Sequence, residues 1–135
     1  MVGLDTNVLV RYLTQDDVKQ AAIATRYIEQ DLSATQPGFI SLVVLVEVCW
    51  VLKRLYAATD DELASTVEDF LNAEQFQVER HELVKAVTQV LQSRKGSKSG
   101  FADLLIVEIA RAQGCTQTVS FDKGAVRLAG MTLLA

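Results

Sequence analysis

Four carboxylates in this 135-residue chain stand where an acid is either useful or costly: Asp5, Glu47, Asp103 and Asp122. Glu47 is the least ordinary, because the other ten residues of the stretch 42–52 are all apolar. A helix apolar on nearly every side is expected to be buried on nearly every side. An ionised carboxylate there costs several kcal/mol unless a base or a cation pairs with it. Asp5 and Asp122 each follow a short apolar run, and Asp103 stands in the first turn of a helical pattern that opens at Phe101. Taken singly, each acid has an ordinary role: Asp5 as a helix N-cap, Asp103 as a complement to the helix dipole, Asp122 as a turn residue, Glu47 as half of a salt bridge or on a short helix arc that reaches solvent. Converging, they would repel one another, raise their own pKa values or recruit cations. An all-oxygen donor set suits Mg²⁺ or Mn²⁺ rather than Zn²⁺, and such ions serve phosphoryl chemistry. Metal-assisted phosphodiester hydrolysis is therefore the leading reaction class.

The elements that must position these acids follow from periodicity and punctuation. Short strands are expected at residues 2–4, 39–41, 76–78, 118–121 and 131–134. Helices are expected at 8–13, 16–32, 42–55 with Ser41 as N-cap, 59–72 opened by a Thr59/Glu62 capping box, 82–93, and 101–113 with Gly114 just past its end. A last brief helix runs to Leu128, and Pro37-Gly38 breaks the chain before the second strand. Strands alternating with helices predict an α/β domain with a mainly parallel sheet covered on both faces. Active sites of such domains lie beyond the carboxyl ends of the strands, where Asp5 and Asp122 are expected to share one rim.

Composition excludes several classes. The length supports one domain, residues 1–135, and half the residues are apolar with a single proline, which excludes a disordered or collagen-like chain. Thirteen bases against seventeen acids give a net charge of −4, without the basic excess that usually marks nucleic-acid binding. Cys49 and Cys115 form no Cys-x-x-Cys pair, so buried free thiols and a reducing, cytoplasmic setting are expected. The start lacks the basic region of a signal peptide, and no apolar run reaches the roughly 18 residues of a membrane span. One histidine, His81, read as a surface or capping residue, is too few for a His-rich zinc site and has no nucleophile motif to serve. Gly96-Ser-Lys-Ser-Gly100 lacks the order of a P-loop.

Asp5-Thr-Asn-Val-Leu-Val-Arg11, Ser41 to Glu47 continuing to Leu52, Phe101-Ala-Asp-Leu-Leu105, and Thr118-Val-Ser-Phe-Asp122-Lys-Gly124 follow one another along the whole chain. In that order and spacing the chain resembles PIN-domain ribonucleases, and among them VapC-like toxins of type II toxin–antitoxin modules. The resemblance implies a three-layer α/β/α sandwich that cleaves RNA with Mg²⁺ or Mn²⁺. Asp5, Glu47, Asp103 and Asp122 match the metal-site positions. Asp5 and Asp103 would be direct ligands, with Glu47 and Asp122 holding a second ion or orienting water. Asn7 would orient Asp5, and Ser120, where many relatives carry threonine, would add a hydroxyl beside the site. A homodimer and a cognate antitoxin partner are implied as well. Arg11, Arg94, Lys95, Lys98 and Lys123 are candidates for holding RNA phosphates, as are Lys53, Arg54 and Arg127.

Two other readings compete. Asp5-Thr-Asn7 is similar to the Asp-x-Asp opening of haloacid-dehalogenase-like phosphohydrolases, although Asn7 cannot donate the proton that their second acid supplies. A non-catalytic regulatory domain with a structural metal site would also retain the acids. Setting the four aside leaves thirteen acids against thirteen bases, so the net charge is numerically that of the quartet.

Overall fold

The structure, a computed structural model, describes residues 1–93 and 100–134. They fall into two compact units, one from Met1 to His81 and one that begins at Glu82. The first unit carries β1 (Val2–Gly3), α1 (Thr6–Thr14), α2 (Val18–Arg26), β2 (Gly38–Ile40), α3 (Leu42–Tyr56), α4 (Asp60–Asn72) and β3 (Phe76–Val78). Its strands form one parallel sheet with β2 in the middle, pairing Val2 with Gly38 and Ile40 with Val78. The helix α5 (His81–Ser93) leads into the second unit, which holds α6 (Phe101–Ala112), β4 (Val119–Ser120), α7 (Lys123–Ala129) and β5 (Thr132–Leu133). There β4 and β5 pair in parallel, Val119 opposite Thr132. The α/β class with parallel strands is thus the one that the strand–helix alternation predicts. Among the described residues no helix is long and apolar enough to cross a membrane.

Local chemistry explains most boundaries. Ser41 accepts a hydrogen bond from the Val44 amide (3.2 Å), and Thr59 and Glu62 complete a reciprocal capping box. Gly114, at φ +93°, follows α6 in the left-handed conformation that glycine reaches without strain. The expected helix at 16–32 begins later, because Asp17 is its N-cap and accepts from the Gln20 amide. After Arg26 it continues as a π-helical turn, Tyr27–Asp31, closed by the Leu32 amide bonding to the Tyr27 carbonyl. The last two strands are two residues each, shorter than the apolar runs that predict them. In the first unit Leu9, Ile28, Ile40, Leu45, Val48 and Val67 are fully buried, and Phe70 meets Phe76 edge to face at 5.3 Å.

Two expectations of burial are corrected. The helix α3 is not buried nearly all round: Leu45, Val48, Cys49 and Leu52 face inward, while Val43 is 78% and Trp50 58% exposed and Glu47 lies with them outside. Positions 43, 47 and 50 share one face at helical spacing, so apolar composition conceals an outward stripe. Cys49 is buried as expected, but Cys115 is exposed, since it sits in the turn after Gly114.

Candidate active site

In the first unit all three strands run the same way, so the residues that follow them emerge at one edge of the sheet. The Leu4 amide bonds to the Phe39 carbonyl (3.0 Å) and carries the pairing one residue beyond β1, up to Asp5. Asp5 then occupies the N-cap position of α1 with extended backbone, yet its carboxylate accepts no capping hydrogen bond and is exposed. The ordinary N-cap role is therefore not the one it fills.

Thr6, next in sequence, is 5% exposed and turns inward with Leu9 and Val10 at helical spacing. Its hydroxyl donates to Oε1 of Glu47 in a short hydrogen bond. That contact ties Glu47 to the residue that follows Asp5 in the chain. Glu47 has this hydroxyl as its partner rather than the basic residue that a buried acid would need. Being exposed, it escapes the desolvation cost that its apolar surroundings in sequence suggest. The start of α3 is fixed from the same sheet edge: besides the Ser41 cap, Glu79, which follows β3, accepts from the Leu42 amide (2.9 Å) through Oε1.

Asn7 is exposed, and among the described residues no hydrogen bond joins its side chain to Asp5. It lines a cleft of about 380 Å³ between α1 and α2, together with Arg11, Gln20 and Tyr27. The Arg11 guanidinium donates from Nε to Gln20 (2.7 Å) and from Nη1 to Asp16 (3.4 Å). Asp16 also accepts from the Tyr56 hydroxyl and from Thr14 (2.9 Å), and these bonds, with Arg11 beside it, hold its carboxyl below the usual range. Lys53 pairs with Asp60, and Arg54 lies over the Trp50 ring at 5.5 Å.

In the second unit, Asp103 is half-buried in the first turn of α6, after the N-cap Gly100. Asp122 follows β4 as N-cap of α7, and here the ordinary role is filled: Oδ1 accepts from the Gly124 amide (2.8 Å). The Ser120 hydroxyl accepts from the Asp122 amide (3.0 Å), so it braces the acid's backbone. Lys123 is exposed beside it, as is Arg127. Arg94, Lys95 and Lys98 lie outside the described residues.

Among the described residues, neither unit by itself gathers three or more Asp, Glu, His or Cys side chains into a group that could hold a metal ion. The donor chemistry nevertheless fits a hard divalent cation. Asp5 is uncommitted, and Glu47 and Asp122 each commit one named oxygen to a protein donor. Sequence reasoning missed Thr6, Glu79 and the Asp16–Tyr56 bond that braces Arg11. Thr6 had a signal, since it starts the inward i, i+3, i+4 face of α1. The other two depend on contacts across 37 and 40 residues of chain and had none.

A family model described as the PIN domain matches residues 2–131, nearly the whole chain. No curated protein matches it significantly.

Proposed function

The chain belongs to the PIN-domain family, and from that premise we propose that it is a Mg²⁺- or Mn²⁺-dependent ribonuclease, one domain over residues 1–135, acting as the toxin of a type II toxin–antitoxin module. PIN domains are generally metal-dependent nucleases that act on RNA. The observation that carries the reading to this chain is Asp5: an exposed carboxylate at the carboxyl end of a parallel strand, in a capping position, that makes no cap.

In this reading Asp5 and Asp103 are the principal metal ligands, with Glu47 and Asp122 in support. When bound, the divalent cation neutralises charge on the scissile phosphate and on the leaving oxygen. The protein's part is to hold its oxygens in place. Thr6 fixes Glu47 through Oε1 and leaves Oε2 available to orient a water molecule. The Gly124 amide fixes Asp122 through Oδ1 in the same manner, while Ser120 accepts from the Asp122 backbone amide and braces the main chain there. Arg11 and Lys123 supply positive charge for phosphates of the RNA backbone.

RNA cleavage by purified Asp5→Asn and Asp103→Asn variants tests the assignment. Both should lose cleavage while keeping the circular dichroism spectrum of the parent, and full activity in either would sink it. The toxin role, the homodimer and the antitoxin stand on the resemblance to VapC-like proteins. A small DNA-binding protein encoded beside this chain should copurify with it and suppress cleavage, and a neighbour that does neither would remove that part of the reading.

A further inference from the structure

We infer that the cleft between α1 and α2 is a nucleotide subsite that seats one base of the RNA and gives the enzyme its base preference; this rests on the nuclease reading above. The cleft has the size of a small-molecule site, about 380 Å³. Its walls are mainly apolar, from Val8, Ile23 and the ring of Tyr27, and its polar groups are Asn7, Arg11 and Gln20. That combination matches a flat base with a polar edge and an anionic backbone. Tyr27 and Ile23 offer faces to stack against; the Asn7 amide presents a donor and an acceptor for a base edge, and Gln20, whose Oε1 accepts from Arg11, presents its Nε2 donor.

Arg11 is pre-set for the phosphate. Gln20 and Asp16 take two of its five donors, and Asp16 is itself held by Tyr56 and Thr14, so the guanidinium is oriented before any ligand arrives. The cleft also begins two residues from Asp5, at Asn7 on the same first turn of α1. A base seated there belongs to a nucleotide close to the one at the acid. An apolar protein segment would use Val8 and Ile23 but would leave the braced arginine and the Asn7 amide without a task.

The test uses the full chain carrying Asp103→Asn, in the other unit, with Mg²⁺ present and 2′-O-methyl hexanucleotides of A, C, G or U as probes. Binding is read by fluorescence anisotropy and by NMR of the side-chain N–H groups of Asn7, Gln20 and Arg11. One base should bind more tightly than the others and move all three signals. Tyr27→Leu, and Ile23→Ser at a position already 62% exposed and safe for folding, should each weaken that base by about tenfold and narrow the spread among bases. Arg11→Lys should weaken all four alike. Unmoved signals with unchanged variants would overturn the inference, even if the parent chain cleaves RNA. So would signals that respond to a protein partner and to no oligonucleotide. Base-selective binding by a chain that never cleaves RNA would uphold the subsite and remove the nuclease reading instead.

Discussion

Asp5 and Asp122 hold the same kind of position, the N-cap of a helix directly after a parallel strand, and use it differently. Asp122 accepts from the Gly124 amide through Oδ1, whereas the Asp5 carboxylate accepts nothing from α1. This difference was not legible in the sequence, where Asp5 read as a helix cap and Asp122 as a turn residue. The placement of Glu47 was half legible: its isolation among apolar residues suggested a buried acid, whereas it lies on the helix arc that reaches solvent, with a hydroxyl as partner. Thr6→Val removes that partner. Because Glu47 is exposed and regains water, the stability cost should be about 1 kcal/mol, with a larger loss in cleavage, and Thr6→Ser should restore both. Chemical denaturation beside a cleavage assay measures the two. The cysteines separate cleanly by burial. The Cys49 thiol is pushed up to about 12, so alkylation of the native chain at pH 8 should label Cys115 alone, as mass spectrometry would show. The sign for stability follows: a thiol that ionises near 9.0 when unfolded favours the folded state below that pH, and the contribution is lost as pH rises toward 12.

At the scale of elements, local signals were readable and tertiary ones were not. Ser41, the Thr59/Glu62 box and Gly114 fix helix ends through neighbours within a few residues, and each lay where the sequence placed it. The inward face of α3 depends on what packs against it, and a stretch of valines and leucines gives no periodic contrast from which to read it. Substitution distinguishes the two faces. Leu45→Ala, at a fully buried position, should cost about 2–5 kcal/mol, and Val43→Ala, 78% exposed, should stay within about 0.5 kcal/mol. Comparable losses at both would refute the face assignment. Glu79 belongs to the same scale: a residue after β3 caps a helix that follows β2, a link that parallel strand order makes natural but no local motif announces.

For the molecule as a whole, a net charge of −4 is compatible with RNA as substrate only if cations and a few placed bases offset the acids. Binding should then be modest and shallow in its salt dependence, because few phosphates are neutralised by the protein itself. The family match covers residues 2–131, so the fold and the general chemistry were legible from four short motifs in order, while the substrate's sequence was not. In the function proposed above, these carboxylates serve RNA hydrolysis through a divalent ion. Cleavage of a mixed RNA pool by the purified chain, with Mg²⁺ or Mn²⁺ and with chelator, and by Asp5→Asn beside it, tests this most directly. Cleavage should require the metal, vanish with chelator, return when the ion is restored, and fall by at least about a hundredfold in Asp5→Asn at unchanged thermal stability. Cleavage that persists in chelator, or that survives the loss of the Asp5 carboxylate, would contradict it.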